Sequence, residues 1–134
     1  MEIIVIGGTP GEDLERYFNE KIKPDRNSVI SLFPEYTLSI DRPIHPREIL
    51  EAVEDEAKKC IKENKSYYLI TFCDHALNGV RIAYKNLGGK FFATCHQIFN
   101  GGNAKIATIQ KDGRLSCWQK GVWDTWDDAL LEIL

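Results

Sequence analysis

The sequence lacks the features of several protein classes. No apolar run approaches the roughly 20 residues that span a bilayer, and the start, MEIIVIGGTPGED, has no basic segment or cleavage site of a secretion signal. The formal net charge is −3, whereas a protein that binds nucleic acid needs a concentrated basic face. We therefore expect a cytoplasmic protein with no membrane contact that does not bind nucleic acid on its own.

Cysteine is sparse and irregularly spaced. The chain has four cysteines: Cys60, Cys73, Cys95 and Cys117. Two lie near histidines, in Cys73-Asp74-His75 and Cys95-His96, and zinc accepts both residue types. Neither pair has finger-like or ribbon-like spacing. We therefore expect reduced, mostly buried thiols, and no metal or other cofactor.

Apolar runs and amphipathic segments alternate over about the first 95 residues, which predicts βαβ units and a parallel sheet within a single domain over residues 1–134. The predicted strands lie around Ile3–Ile6, Leu38–Ile40 and Leu69–Phe72, with another candidate at NSVISLF, and the predicted helices lie near 12–22, 47–63 and 75–87. KFFATCHQIF and AKIATIQ predict a hairpin around Asn100-Gly101-Gly102, and WDTWDDALLEIL predicts a last short helix. The expected fold class is α/β, with a three-layer, mainly parallel sheet, flanking helices and C-terminal antiparallel hairpins.

Ligands of α/β proteins collect at the carboxyl ends of the strands, and three predicted strand ends carry glycine or polar residues. The first is Gly7–Gly11, where amides at a helix N-terminus are able to bind an anion. Glu12 and Asp13 follow at once and would repel phosphate. The favoured interpretation is a strand–helix turn, with Thr9 as the helix cap and Pro10 at the first helical position.

The other two strand ends carry more reactive side chains. The predicted strand in SIDRPIHPREI ends in Asp41, where an NTPase holds Mg²⁺ through an acidic residue. The strand in LITFCDHA ends at Phe72 and is followed by Cys73, Asp74 and His75. Cys73 with His75 is a candidate nucleophile and base for a small hydrolase. Residues two apart at such a junction seldom face each other, however, and Asp74 more simply caps the next helix.

The stretch IDRPIHPREI…YYLITFCDHALNGVRIA resembles the C-terminal lobe of ABC-type ATPase domains of the RecF/OLD-like group. In that group a strand ends in an acidic residue, followed by Glu or Gln, then Pro, with a His-Pro shortly after. A later strand ends in Thr-His-Ser-Glu-His. The tail, IQKDGRLSCWQKGVWDTWDDALLEIL, is similar to that of one uncharacterised subfamily, Asp-Gly-Arg…Trp-Pro-x-Gly-Phe-Phe-Asp-x-Trp. The resemblance covers about residues 37–134 and implies an ATPase-derived α/β domain.

The chain departs from this family at the positions that perform catalysis. No G-x-x-x-x-G-K-[ST] phosphate loop and no LSGG-type signature occur in the sequence. Asp41 matches the metal-binding acid, but Arg42 stands where the family has Glu or Gln, and a guanidinium cannot accept a proton. Phe72 stands where the family has the histidine that senses the γ-phosphate. Asp74 and His75 match the Glu and the second His of the same motif. The resemblance thus implies a vestigial nucleotide site with no catalytic residue.

These departures favour a non-enzymatic module that acts by binding a protein. An intact RecF/OLD-like ATPase is the candidate partner, and a phage-encoded inhibitor of an ATPase-based defence system would fit that role. The main alternative is the C-terminal subunit of a split ATPase whose P-loop comes from another chain. The tryptophans of the tail more commonly would close the core of a small domain. The alternative is that some are exposed and anchor a partner, because tryptophan is enriched in interface hot spots. The candidate partner-binding residues are His45, Trp118, Trp123 and Trp126, and a homo-oligomer is compatible with the sequence.

Overall fold

The computed structural model describes residues 1–123. Five strands and four helices follow one another as β1 (Glu2–Gly8), α1 (Leu14–Lys21), β2 (Ser28–Leu32), α2 (Pro34–Thr37), α3 (Pro46–Lys62), β3 (Ser66–Ile70), α4 (Asp74–Leu87), β4 (Phe92–Phe99) and β5 (Asn103–Thr108). The fold class is α/β, as the alternation of strand and helix patterns predicts.

The strands form one five-stranded mixed sheet with the order β2-β3-β1-β4-β5. The first four strands are parallel, and β5 pairs antiparallel with β4. At the centre, Val5 lies between Leu69 of β3 and Cys95 of β4. The connection from β1 to β2 runs across the sheet in the opposite direction to those from β2 to β3 and from β3 to β4. Right-handed crossovers therefore place α1 on one face and the pair α3–α4 on the other.

The core has two parts, one on each face of β1. Side chains alternate along a strand, so Ile3 and Val5 join the larger cluster under α3 and α4. Ile4 and Ile6 join the smaller cluster under α1. All four are buried, which explains why β1 is a continuous apolar run rather than an alternating one.

The two long helices pack closely at one glycine. A Cβ atom built on Gly79 of α4 would lie 2.5 Å from the carbonyl oxygen of Leu50 and 2.9 Å from the amide nitrogen of Glu54, both in α3. A side chain at this position would hold the two helix backbones apart. The close packing of α4 against α3 therefore requires glycine at this position, although glycine lowers helix propensity.

The chain after β5 runs back towards α4. The turn Asn100-Gly101-Gly102 joins β4 to β5 with three positive φ angles, which confirms the predicted hairpin. A second tight turn then brings Leu115 into an antiparallel bridge with Ile109. The side chain of Gln97 holds the following segment, because it donates to the Cys117 carbonyl at 3.2 Å and accepts from the Gln119 amide at 2.6 Å.

Arg81 fixes this C-terminal segment to α4. Its side chain is fully buried, Nε donates to the Gly113 carbonyl at 2.8 Å, and Nη1 donates to Oδ1 of Asn78 at 2.9 Å. The guanidinium also lies 5.6 Å from the centre of the Trp118 ring, a cation–π distance. A buried cation thus links the helix, the turn and the tail.

Two local predictions are wrong. Leu38–Ile40 is not a strand, because β2 ends at Leu32 and Pro34 starts the short helix α2. Helix α1 begins at Leu14 with Asp13 as its cap, which accepts from the Arg16 amide at 3.0 Å, so Thr9 and Pro10 do not start the helix. The predicted last helix and Trp126 lie outside the described residues.

Within residues 1–123, no helix combines the length and the apolar content that a bilayer crossing requires. This agrees with the absence of a long apolar run in the sequence.

We expect Gly79→Ala to lower the free energy of unfolding by up to about 2 kcal/mol. Alanine gains roughly 1 kcal/mol of helix propensity, but overpacking against the α3 backbone costs about 1–3 kcal/mol, so the steric effect should win. A urea melt of the variant beside the parent measures the change. Asn86→Ala, at an exposed position of the same helix, is the control, and we expect it to leave stability unchanged or slightly higher. A stabilised Gly79→Ala would contradict the close packing.

Candidate functional site

The chain topology has a switch point between β1 and β3. These neighbouring strands send their connections to opposite faces, α1 to one and α4 to the other. Such a switch point opens a crevice at the carboxyl ends of the two strands, where α/β proteins bind their ligands. In this chain the crevice lies between Gly7-Gly8 and Thr71-Phe72.

The β1 side of the crevice is filled by Trp123. A Cβ atom on Gly7 would overlap the indole ring, so the ring lies directly against the Gly7 backbone. Trp123 is 5% exposed and belongs to the larger core cluster. Its indole N–H is buried with no hydrogen-bond partner among the described residues. Of the two alternatives for this tryptophan, the structure thus favours a role in closing the core.

The glycine turn after β1 offers few amides to an anion. The Thr9 amide already donates to the Ile98 carbonyl at 3.0 Å, and the Glu12 amide donates to the Thr9 carbonyl at 3.2 Å. At the start of α1 the cap is the Asp13 carboxylate. An acidic side chain thus stands where a phosphate would lie, which agrees with the interpretation of this stretch as a capped turn.

On the β3 side of the crevice, Glu35 accepts hydrogen bonds from the end of the strand. The sequence did not predict this contact. Oε1 of Glu35 accepts from the Thr71 hydroxyl at 2.6 Å, and Oε2 accepts from the Phe72 amide at 3.1 Å. The Thr71 oxygen in turn accepts from the Cys73 amide at 2.9 Å. The polar groups at the end of β3 are therefore satisfied from within the chain, by a carboxylate that α2 carries.

Phe72 packs against apolar neighbours, as predicted. Its ring stacks on Phe33 with centres 5.7 Å apart and an interplanar angle of 14°, and Phe33 stacks on Tyr36 at 5.6 Å. Phe33 has φ 46°, a left-handed conformation that costs a residue with a Cβ about 1–2 kcal/mol. Its amide donates to the Ile70 carbonyl at 2.8 Å. The strained turn thereby moves α2 out of the sheet and places Glu35 over the end of β3.

Cys73, the candidate nucleophile after Phe72, lies where burial opposes formation of the thiolate. Burial raises the pKa of the Cys73 thiol and outweighs the amides of Ala76 and His75, which favour the thiolate. A cysteine nucleophile needs a lowered pKa instead. The prediction that Asp74 caps α4 is wrong, because Cys73 is the N-cap, without a side-chain cap hydrogen bond, and Asp74 lies in the first turn of the helix. Oδ1 of Asp74 lies 3.8 Å from Nε2 of His75.

Asp41 and Arg42 do not lie at a strand end. Both are exposed in the bend between α2 and α3, and Arg42 forms an ion pair with Glu48 at 2.8 Å. This pair raises the pKa of Arg42 and lowers the pKa of Glu48. His45 caps α3, with Nδ1 accepting from the Arg47 amide at 3.1 Å. Since no strand ends at Asp41, its comparison with a metal-binding acid at a strand end has no geometric basis.

Neither Cys–His pair of the sequence belongs to a group of three or more metal-ligating side chains within residues 1–123. Cys95 and His96 are neighbours on β4 and point to opposite faces. Cys95 lies in the core beneath α4, where burial raises its thiol pKa well above the usual range. Across residues 1–123, no cluster of three or more His, Cys, Asp or Glu side chains has the geometry to hold a metal ion.

His96 is instead paired with Tyr17 beneath α1. Its Nδ1 lies 2.8 Å from the Tyr17 hydroxyl, and the two rings meet edge to face. Burial lowers the pKa of His96 and raises the pKa of Tyr17. Both shifts favour the neutral forms, so this is a buried polar pair that holds α1 on the sheet.

No family model, curated protein or solved structure matches this chain. Its function therefore has to follow from the geometry of the residues themselves.

We expect Glu35→Gln to lower the free energy of unfolding by about 1–3 kcal/mol, because an amide cannot accept hydrogen bonds from Thr71 and Phe72 through both of its arms. A chemical melt measures the loss. Glu51→Gln breaks an exposed pair with Arg47 and should change stability by no more than about 0.5 kcal/mol. Equal effects of the two substitutions would show that Glu35 does not hold the crevice closed.

We expect His96 to make folding sensitive to acid. Its pKa is lowered in the folded protein, so below roughly pH 6.5 the unfolded chain binds a proton that the folded protein resists. Stability should fall as the pH drops through this window, and His96→Gln should reduce that fall. Melts of the parent and of His96→Gln between pH 7.5 and 5 test this. An identical pH dependence for the parent and His96→Gln would contradict it.

Proposed function

We propose that this protein is a non-enzymatic module that acts by binding another protein chain and has an α/β sheet of the nucleotide-binding type without a usable nucleotide site. The observation that carries the proposal is the closure of the crevice between β1 and β3. The Trp123 indole lies on Gly7, and Glu35 bonds the end of β3. A ligand would have to displace both before it reached the strand ends.

The resemblance to RecF/OLD-like ATPases rests on two motifs, and one of them does not fit the structure. Asp41-Arg42-Pro43 does not follow a strand, because β2 ends at Leu32 and α2 begins at Pro34. The other motif supports the proposal: Phe72 stands at the position of the phosphate-sensing histidine and stacks on Phe33, so an apolar pair of rings lies where that group has a polar side chain.

Exposed apolar side chains support protein binding. Of the nine large hydrophobic residues that are exposed within residues 1–123, five lie between residues 30 and 40: Ile30, Leu32, Tyr36, Leu38 and Ile40. Ile30 and Leu32 lie on β2 and Tyr36 lies on α2, whereas Leu38 and Ile40 follow α2, which ends at Thr37. Exposed apolar residues that are grouped rather than scattered support a protein-binding role for this part of the chain.

A RecF/OLD-like ATPase is the candidate partner that the resemblance implies, and regulation or inhibition of that ATPase is the corresponding role. This part of the proposal is an analogy at the level of the fold. The split-ATPase alternative needs an acidic Mg²⁺ ligand and an open crevice in this chain. Asp41 lies in an exposed bend and Trp123 occupies the crevice, so both features favour the binding module.

We expect the protein neither to bind nor to hydrolyse ATP. No phosphate loop offsets the desolvation of a triphosphate, and the crevice is already occupied. Titration calorimetry with ATP and Mg²⁺ should show no binding tighter than the millimolar range, and a phosphate-release assay should show no turnover. A micromolar dissociation constant would overturn the proposal.

Phe72→His provides a second arm of this test. It restores the family's histidine but removes the stack on Phe33, so it should lower the free energy of unfolding by about 1–3 kcal/mol and create no ATPase activity. Recovered turnover, or an unchanged melt, would show that the crevice is more open than its contacts indicate.

A further inference from the structure

The amino end of the sheet gathers residues from five separate parts of the sequence. Helices α1, α3 and α4 each lead into a parallel strand, so their last turns lie at this end. Strand β5 returns antiparallel to β4, and the Ile109 amide donates to the Ala93 carbonyl, so the turn after β5 lies there as well. The five parts are residues 1–2, 20–27, 59–66, 84–92 and 109–114.

This end of the sheet is basic, although the chain as a whole is acidic. The five parts contain ten lysines and arginines and five acidic residues, whereas the rest of the chain contains seven and fifteen. The net charge of −3 is therefore an average over a basic end and an acidic remainder, and only the fold brings the cations together.

The acidic residues at the amino end already have partners. Glu2 accepts from the Tyr68 hydroxyl at 2.6 Å, and Asp25 accepts from the Ser66 hydroxyl. The other three form ion pairs, Glu20 with Arg16, Glu63 with Lys65 and Asp112 with Arg114. The remaining eight cations of this end are exposed and form no ion pair within residues 1–123.

Helix stabilisation explains only part of this charge. A cation in the last turn of a helix interacts favourably with its negative end, and Lys21, Lys62 and Lys85 have such positions. Lys90 and Lys111, however, lie in loops. A pocket of about 220 Å³ joins Lys85 to Lys111, and no acidic residue is among the described residues that line it. A negatively charged group is the complement of this pocket.

Two exposed apolar side chains lie in the middle of the amino end. Met1 and Phe92 are 57% and 64% exposed, and they are neighbours, because the Phe92 amide donates to the Met1 carbonyl at 3.5 Å. They lie at the starts of β1 and β4, which are inner strands of the sheet. The cations before β2 and β3 lie to one side of them, and Lys111 lies to the other. An apolar centre with a charged rim is the arrangement of a protein interface.

We propose that the amino end of the sheet binds a short acidic segment of a protein partner, which lies across the starts of the strands and places an apolar side chain on Phe92. The proposal rests on the proposed function, because it names the chemistry of the partner chain. Five strands span about 20 Å, which an extended segment of about six residues covers. A nucleic acid would extend beyond this end and meet the acidic remainder of the chain, so a short protein segment fits the charge distribution better.

Fluorescence anisotropy with two labelled peptides of equal charge tests the proposal. One peptide has leucines between two runs of glutamate, and the other has serines in their place. We expect the full chain to bind the leucine peptide with a dissociation constant of about 0.1 mM or lower at low salt, and the serine peptide about threefold more weakly. Raising the salt concentration to about 0.3 M should weaken both at least tenfold, because exposed charges are screened.

Three variants locate the binding surface. Lys111→Glu reverses a charge in the pocket and should weaken both peptides at least fivefold. Lys120→Glu is the matched control: it makes the same change at an exposed lysine beside Gln119, which Gln97 holds near the carboxyl end of β4, and it should change binding less than twofold. Phe92→Ser should abolish the preference for leucine. Circular dichroism melts establish that each variant is folded.

The absence of peptide binding below the millimolar range would overturn the proposal, as would equal effects of Lys111→Glu and Lys120→Glu. Equal affinity for the two peptides would overturn the contact with Phe92. Tighter binding of a single-stranded oligonucleotide of equal charge would replace the acidic segment by a nucleic acid. A chain that binds neither the peptides nor ATP would leave the proposed function standing with a different surface. The two proposals therefore fail on separate measurements.

Discussion

The absence of a side chain at Gly7 is the constraint on which the closed crevice depends. Because a Cβ there would overlap the Trp123 ring, the C-terminal segment reaches the end of the central strand only through this glycine. Arg81 and Gln97 fix the same segment to α4 and β4. Trp123 also belongs to the larger core cluster. Opening the crevice would therefore disrupt part of the core, so closure is coupled to the stability of the domain.

On the β3 side, a carboxylate of the chain itself bonds the polar groups at the strand end. Glu35 satisfies a hydroxyl and an amide that would otherwise face the crevice. A buried donor without an acceptor costs about 1–3 kcal/mol, so an incoming ligand would have to replace these bonds before it gained anything. The strained turn at Phe33 and its stack on Phe72 hold the carboxylate in position. The left-handed conformation of Phe33 is locally unfavourable, but it places Glu35 where it can bond the end of β3.

The sheet therefore presents a closed end and an open edge. Its carboxyl end, where this type of fold binds small molecules, is filled by the chain's own side chains. The β2 edge carries exposed apolar residues, Ile30 and Leu32. The proposal that this protein binds another chain rather than a nucleotide rests on this contrast.

The sequence by itself determined the elements with strong local patterns. The apolar run of β1, the amphipathic period of α3 and the Asn-Gly-Gly turn each fix their own conformation, so all three are predictable. The sequence also indicated that Phe72 would pack against apolar side chains. Leu38–Ile40 was predicted wrongly because β-propensity reflects packing against neighbouring strands, and no strand lies beside it. The contacts of Glu35 with Thr71 and of Trp123 with Gly7 join residues far apart in the chain. No local pattern encodes such pairs, so only the tertiary structure decided that the crevice is closed.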